Sequence, residues 1–588
     1  MKDYRNFLSN KLAYIPAYLR THRIAAGVTL SIVVGLGGGL GAVVFRWFIK
    51  TFHQLLFGGM GDALSFLGQY YIILVPAVGG VVVGCIIYFT RTGETKGHGV
   101  PEVMEAVWRK GGRIRPRVAA IKILASSICL GSGGSAGREG PIVQIGSSIG
   151  STVAQRFRLP ENWVKTLVAC GAAAGISATF NAPIGGIFFA LEVILRRVLS
   201  PRLGFVVVSS VVAALVAHAF LGDFRTFSVP IEYTLNRYNE LPLYILLGAL
   251  CALVATLFIR SLYKVEDGFN ALRFPEYLKP ALGGIAVGLI GFYNPYLFGV
   301  GYGGIDQVLL GNIGLSALVA LLFLKILATS FTLGSGGSGG IFAPSLFMGA
   351  ILGSLFGEIA HGLLPGIVAP AGAYALVGMA AVFAGAAGAP LTSFLILFEM
   401  TRDYAIILPL LLAVVTSTLL ARQLNRENIY TLKLARRGID TRRPEEAAFL
   451  TGVTVGEVMS RDFPTVSPQM SLTDLMDKLN RTGHHGFPVV DENGELYGFV
   501  ALADVENRIA SGTKDVTVAD IATRNLVVAY PDESLSEVVE HLGMGSAEIG
   551  HIPVVSREDP GRLLGILRRH DIIKGYVKSV ARVHEGEM

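Results

Sequence analysis

Two glycine-rich elbows carry the residue types that can do chemistry in this chain. Gly137-Arg138-Glu139-Gly140-Pro141 and Gly339-Gly340-Ile341-Phe342-Ala343-Pro344 each set glycine just ahead of a proline and an apolar run. Proline suits the first helical turn, and glycine lets the backbone bend sharply into it. A helix N-terminus offers unbonded amide N–H groups and roughly half a positive charge. Two such termini meeting inside a bilayer make an anion site with no fixed cation to hold the ion too tightly. Gly97-His98-Gly99-Val100-Pro101 is a third segment of the same make-up. The chemistry implied is passage of an anion.

Glu139 adds a carboxylate at one of these termini. An acid side chain in a membrane span is costly and by default functional. At a helix N-terminus it competes for the amides an anion would use. It is therefore expected to act as a tethered substitute ion, which swings away or takes a proton before the anion passes. A salt bridge to Arg138 is the competing reading, disfavoured because consecutive helical residues do not face each other.

The elements that must position these elbows come from a duplication. Lys122–Pro141 (KILASSICLGSGGSAGREGP) and Lys325–Pro344 (KILATSFTLGSGGSGGIFAP) align at an offset of 203, with 13 of 20 positions identical. Asn181-Ala182-Pro183 through Glu192 matches Gly388-Ala389-Pro390 through Glu399 at an offset of 207. Close helix packing favours small residues, but it would not keep Lys, Ser, Gly and Pro in one register. The repeats are set at about residues 22–222 and 240–425, and such repeats place a transporter's substrate site at their interface near the midplane. Several apolar stretches, among them Ile24–Ile49 and Leu315–Leu333, approach or exceed the ~20 residues that cross a bilayer. Others, such as Val118–Leu130 and Leu391–Met400, have only about 10 to 14. They predict helices that stop at mid-membrane, tolerated only where protein or a water-filled cavity covers the broken backbone.

The 588 residues are 52% apolar and 16% charged, against about 25% charged in soluble proteins. From Thr431 to Met588 the charged share is about 27%, and in the first 430 residues about 12%. This describes a membrane domain followed by an ordinary soluble tail. The net charge of +7 divides into +13 for the first part and −6 for the tail. The basic stretches Trp108–Arg117, Arg196–Arg202 and Arg436–Arg443 adjoin apolar helices, so they and both termini are expected on the cytoplasmic side of the cell membrane. No nucleic-acid partner is implied. Residues 1–21 are too polar for a cleaved signal and read as a cytoplasmic segment. Cys85, Cys129, Cys170 and Cys251 lie in apolar runs without metal spacing. No nucleophile–base pair is seen, so neither an enzyme nor a resident metal or cofactor is expected.

The tail has its own repeat. After a linker at 431–452, residues 453–511 and 516–578 each read helix, short strand, helix, strand, turn, strand, helix, and 579–588 end the chain. Phe487-Pro488-Val489-Val490 with Gly498 and Asp504 is echoed by Ile552-Pro553-Val554-Val555 with Gly565 and Asp571.

GHGVP, GREGP, GGIFAP and a tyrosine after the last apolar helix, Tyr430, resemble the four anion-site segments of the CLC chloride channels and transporters, over residues 22–430. The tail resembles a CBS-domain pair. The resemblance implies an all-α polytopic membrane domain of two inverted repeats with many short, tilted, broken helices, followed by an α/β tandem CBS domain. It implies a homodimer in membrane lipid with one pore per subunit. Glu139 is then the gate, and His98, Gly99, Arg138, Gly140, Ile341, Phe342 and Tyr430 bind the anion. Ile341 and Phe342 act through backbone amides and Tyr430 through its hydroxyl.

Two departures from the family pattern stand out. His98 occupies a position that most often holds serine; a neutral imidazole still donates an N–H. Val193 stands where proton-coupled exchangers usually carry a second glutamate, and valine cannot relay a proton, so the pattern resembles the channel branch. Glu192 and Glu399 read as structural caps at corresponding helix ends, and Lys122 and Lys325 as symmetric structural cations. The CBS likeness implies adenine-nucleotide binding (ATP, ADP or AMP) through Asp504, Asp571 and Arg568, with Arg569 beside it. The motif's hydroxyl position is Ala501 in the first half. His484, His485, His541, His551 and His570 lack metal spacing and read as structural or solvent-facing.

The expected function is a voltage- or pH-gated chloride channel with a glutamate gate and a regulatory tail. The alternative is a chloride/proton antiporter of the same fold. Another CBS-regulated ion transporter ranks behind both, because a cation pore wants acidic rings where this chain offers glycine amides.

Overall fold

The computed structural model describes residues 23–59, 61, 65–196, 202–222, 238–365, 368–439, 453–510, 516–535, 537–538, 551–568, 570–575 and 577. The segment 1–21, positions 197–201 of the second basic stretch, residues 440–452, His541, Arg569 and the tail 579–588 lie outside the described residues. The chain forms two units that divide between Ile439 and Asp440.

The first unit is helical. Its first half runs α1 (Arg23–His53), α2 (Tyr71–Thr90), α3 (Val100–Arg109), α4 (Arg117–Gly131), α5 (Glu139–Arg156), α6 (Glu161–Phe180), α7 (Pro183–Phe189) and α8 (Leu203–Leu221). The second half runs α9 (Leu241–Ala271), α10 (Lys279–Tyr293), α11 (Tyr302–Leu309), α12 (Leu315–Gly334), α13 (Phe342–Leu363), α14 (Ala371–Ala387), α15 (Pro390–Thr401) and α16 (Ile407–Leu424). Each helix of the first half has its counterpart eight places on, down to the 31 residues shared by α1 and α9. A short α17 (Thr431–Arg436) closes the unit, within the segment read from sequence as linker.

Glycine sets how closely these helices pack. A Cβ on Gly146 of α5 would collide with the carbonyl of Gly171 on α6, and one on Gly150 with that of Leu167. Gly349 against Gly378 and Gly353 against Tyr374 repeat the arrangement between α13 and α14. Helices α2 and α10 cross antiparallel in the same manner, with Gly80 on Pro280, Gly84 on Tyr277, Gly284 on Pro76 and Gly288 on Ile73. Their sequences, PAVGGVVVG (Pro76–Gly84) and PALGGIAVG (Pro280–Gly288), form a third repeated pair at an offset of 204. That pair is missing from the sequence reading above.

The layering follows from burial. Helices α5, α6, α13 and α14 are buried on nearly every side. Around them, α1, α8, α9, α10 and α16 expose apolar side chains such as Leu36, Leu215, Leu253, Leu289 and Leu419, as lipid-facing helices do. Among the described residues eight helices are long and apolar enough to cross a membrane, while those at 183–195, 279–293, 371–387 and 390–401 are shorter. The expected mixture of full and partial spans is therefore present. Two of the short helices cap each other across the repeat boundary. Glu192 accepts hydrogen bonds from the Leu391 and Thr392 amides at 3.2 and 2.8 Å, and Glu399 accepts from Ile184 and Gly185 at 3.0 and 2.6 Å. Both carboxylates cap helix ends, as the sequence predicts, and those ends are N-termini, where unbonded N–H groups need acceptors.

The second unit holds two antiparallel hairpins. Strand β1 (Gly486–Val490) pairs with β2 (Leu496–Ala501), and β3 (His551–Val555) with β4 (Leu563–Arg568). The registers match, Val489 facing Gly498 as Val554 faces Gly565. The short strand expected early in each half is reduced to single bridges, Val466 to Val489 and Ala529 to Val554. The halves also exchange their leading segments. Val453 and Val455 pack with Leu535, Ile552, Val554 and Leu567 of the second half, while Val518 packs with Leu475, Phe487 and Val500 of the first. Backbone bridges from Ser460 to Ile566 and from Ser471 to Thr517 fix the exchange.

Replacing Gly284 by leucine should destabilise the first unit by about 1–3 kcal/mol or more through overpacking. It should appear as a lowered thermal midpoint in detergent. Gly303→Ala, where an added Cβ meets nothing within 4 Å, should leave the midpoint in place.

Candidate anion site

The three glycine-rich segments meet, and backbone hydrogen bonds hold them together. Gly137 N–H donates to the Gly340 carbonyl at 2.7 Å, and Gly340 N–H donates back to Gly137 at 2.6 Å. Gly97 N–H donates to Gly337 at 2.9 Å, and Gly339 N–H to Gly97 at 3.3 Å. Glycine is required by contact. A Cβ on Gly340 would lie 2.6 Å from the Gly140 nitrogen, and one on Gly140 would lie 2.9 Å from the Gly340 Cα. Gly99 also has φ +78, a left-handed conformation that other residues adopt at a cost. Together these contacts bring the N-termini of α3, α5 and α13 to one place.

Glu139 is the first residue of α5 and is 1% exposed. Its Oε2 accepts from the Ala343 amide, in the first turn of α13, at 3.3 Å. Its Oε1 accepts from the Tyr302 hydroxyl at 2.7 Å. The carboxylate thus rests on the positive end of the helix from the opposite repeat. Arg138 Nε stands 3.9 Å from Oε1. This is an ion pair without hydrogen-bond geometry, so the salt-bridge reading disfavoured from sequence does contribute charge. The Arg138 guanidinium lies over the Tyr302 ring, 5.1 Å from its centroid.

Aromatic groups line the other side. His98 is 3% exposed, with ring centroids 6.5 Å from Tyr263 and 6.3 Å from Tyr430, and among the described residues its Nδ1 has no hydrogen-bond partner. Tyr430 is set at the head of α17 by Asn428, whose Oδ1 accepts from the Tyr430 and Thr431 amides at 2.9 and 2.8 Å. Tyr263 donates its hydroxyl to the Ile429 carbonyl at 2.6 Å. Phe342 is wedged between Phe180 and Phe383, with centroids at 4.8 and 3.9 Å. Val193 is buried in the π-helical turn Ala190–Leu195 that follows α7, beside the capping Glu192.

Two buried lysines brace the loops from corresponding positions. Lys122 Nζ donates to the Thr95 and Gly97 carbonyls at 3.0 and 2.9 Å. Lys325 Nζ donates to Leu297 and Gly299 at 3.3 and 3.5 Å and lies over the Phe347 ring. An ammonium shut away from water is tolerable only with such acceptors, which supports the structural role read from sequence.

The tail places its two aspartates at strand-to-helix turns. Asp504 accepts from the Ala501 amide at 2.9 Å. Asp571 accepts from the Arg568 amide at 3.0 Å, from Arg568 Nε at 3.2 Å and from Ser460 Oγ at 3.4 Å, and the Arg568 guanidinium also bonds Ser460. Arg568 is thus folded back on Asp571. His551 stacks on Phe499 at 5.5 Å, and burial, with Arg568 nearby, holds it below the usual imidazole range. Among the described residues no cluster of His, Cys, Asp and Glu is placed to hold a metal.

The voltage gated chloride channel family matches residues 79–422, and the CBS domain matches 455–511 and 518–578. The chain belongs to the CLC family. It is 33% identical over 418 residues to a ClcB-like chloride channel protein of Ralstonia nicotianae, covering 70% of this chain and 97% of that one. It is 36% identical over 357 residues to the H(+)/Cl(-) exchange transporter ClcA of Vibrio parahaemolyticus, covering 58% and 75%. The crystal structure of a slow cyanobacterial Cl−/H+ antiporter superposes with a TM-score of 0.64 at 27% identity, over 71% of this chain and 99% of that one. This CLC protein is a multi-pass membrane protein with a C-terminal CBS pair.

The sequence reading of this CLC protein missed Tyr302. Its signal was available, because Gly299-Val300-Gly301-Tyr302-Gly303-Gly304 occupies in the second repeat the place that GHGVP holds in the first. It also missed the tie between α17 and α3, in which Arg437 bonds Glu102 at 2.7 Å and Glu105 at 2.8 Å. Lys122→Met strands two buried carbonyls, at about 1–3 kcal/mol each, and should markedly lower the thermal midpoint. Lys325→Met should lower it less, because its hydrogen bonds are longer.

Proposed function

We propose that this CLC protein conducts chloride passively across the cell membrane, with Glu139 as the gate. The observation that carries the reading is the Glu139 carboxylate seated on the α13 N-terminus, in the place an anion would take. Swinging away or taking a proton, it releases the Ala343 amide and the Tyr302 hydroxyl to the incoming ion. Gly140 and Gly99 let the backbone come close, and Arg138 supplies positive potential. The Ile341 and Phe342 amides, the Tyr430 hydroxyl and a neutral His98 N–H then hold the ion as it goes on. Such donors are aimed before the ion arrives and need no reorganisation. Val193 supports conduction without proton coupling. From the basic stretches we infer that the termini and the CBS pair are cytoplasmic, and we infer a homodimer with one pore per subunit.

Relatives named as exchangers favour a second reading, chloride/proton antiport by an internal route that does not use position 193. Purified protein in liposomes separates the two. Chloride should run down its gradient without moving protons; stoichiometric proton movement would establish the antiporter instead. Glu139→Gln mimics protonation and should leave passage open with a weaker pH dependence. Unchanged flux and pH response would remove Glu139 from the gate.

For the tail we propose regulation by an adenine nucleotide. Ribose hydroxyls would replace Arg568 on Asp571, and the freed guanidinium would turn to the phosphates, with Asp504 offering the matching carboxylate in the first half. Calorimetry on the full-length protein should show ATP or AMP binding that Asp571→Ala weakens about tenfold or more, the scale of a charged hydrogen bond. Wild-type protein that takes up neither nucleotide would end the proposal.

A further inference from the structure

Helices α3 and α11 are twins across the repeat. Lys122 bonds the carbonyls of Thr95 and Gly97, and Lys325 bonds those of Leu297 and Gly299, the same two positions moved on by 202. Gly99 at φ +78 caps α3, and Gly301 at φ +84 caps α11. The first twin delivers His98 and Gly99 to the aromatic side of the anion site. The second delivers Tyr302, the first residue of α11, to the gate. Its loop has little freedom there. A Cβ on Gly301 would lie 3.0 Å from both Lys325 Nζ and the Phe347 ring, and the Arg138 guanidinium covers the Tyr302 ring. The phenol is therefore aimed in advance, and its bond to Glu139 at 2.7 Å is shorter than the 3.3 Å bond from the Ala343 amide. A hydroxyl donating to an ionised acceptor makes a bond about twice as strong as a neutral pair.

We propose that Tyr302 is the catch of the gate, a positioning residue whose hydroxyl holds the ionised Glu139 in its seat and so sets the pH at which chloride passes. The proposal rests on the reading of Glu139 as the gate. Once protonated, the carboxyl is no longer a charged acceptor, and the catch lets go. The charged and titratable groups around it are Arg138 at the cap of α5, Tyr302 on α11 and Tyr430 at the head of α17. Arg46 of α1 faces Arg138 and Tyr302, and His98 stands beside Tyr430. The guanidiniums keep their charge, and a phenol ordinarily keeps its proton to about pH 10. Glu139 and His98 are left to titrate below that, and a Glu139→Gln background separates them.

The test uses full-length protein in vesicles, exchanging radiolabelled chloride at equal chloride on both sides, from about pH 4 to about pH 9. Tyr302→Phe keeps the ring under Arg138 and removes the donor. The seated, ionised carboxylate is then less favoured, so the gate opens at lower proton concentration. The pH of half-maximal flux should rise by about one unit, a tenfold change at the low end for a hydrogen bond to a charged group. In a Glu139→Gln background the same substitution should leave the remaining pH dependence where it is. Replacing Tyr302 by 3-fluorotyrosine, a stronger donor of nearly the same shape, should lower the half-maximal pH. A Tyr302→Phe protein with the wild-type half-maximal pH, whatever its maximal flux, would overturn the proposal. So would an equal shift in the Glu139→Gln background, which would give the hydroxyl another target. Should Tyr302→Phe fail to fold, an unshifted fluorotyrosine protein would overturn it alone. A Glu139→Gln protein with the full wild-type pH response would instead bring down the gate reading itself.

Discussion

Lipid cannot hydrogen-bond a peptide, so a helix may end inside a membrane only where protein receives its last unpaired groups. The rest of the first unit is organised around that constraint. The reciprocal bonds between Gly137 and Gly340 close the two elbows on each other, and the bonds of Gly97 with Gly337 and Gly339 add the third. With the loops satisfied in this way, the amides of the first helical turns stay available for a carboxylate or an ion. The site is therefore made of what the helix ends leave over.

Duplication makes the arrangement economical. One kind of loop, brought against its own copy, supplies both sides of the bridge, and the copied Lys122 and Lys325 hold the loops that precede. The copies have since diverged where the chemistry is asymmetric. Glu139 lies in one elbow and Phe342 at the matching place in the other. An acid and an aromatic ring thus share a site whose backbone remains nearly twofold.

The elbows and their pairing were legible because glycine, proline and a 20-residue register leave few alternatives. The capping roles of Glu192 and Glu399 were legible for the same reason, but not that each caps the helix of the opposite repeat. Tyr302 was not, since it lies 163 residues from Glu139 and the GYGG segment keeps only the glycines of GHGVP. The α2–α10 crossing was written in the sequence, but small residues in apolar runs are common enough to hide it. The carbonyl contacts of Lys122 and Lys325 depend on loop geometry that no residue type announces. In the tail, the order of elements was readable, while the exchange of leading segments was not. Alternation of helix and strand says which residues are buried and not which half buries them.

That exchange means that neither CBS sequence is a structural module in its own right. The valines at 453 and 455 complete a core built from residues about 75 to 115 positions later, and Val518 completes the earlier one. The boundary between 511 and 516 is thus a boundary in sequence only, and the pair gains or loses order as a single cooperative body. The Ser460–Asp571 contact shows the same lacing, because Ser460 comes from the leading segment of the first half, bridges to Ile566 on β4, and meets an aspartate that follows that strand.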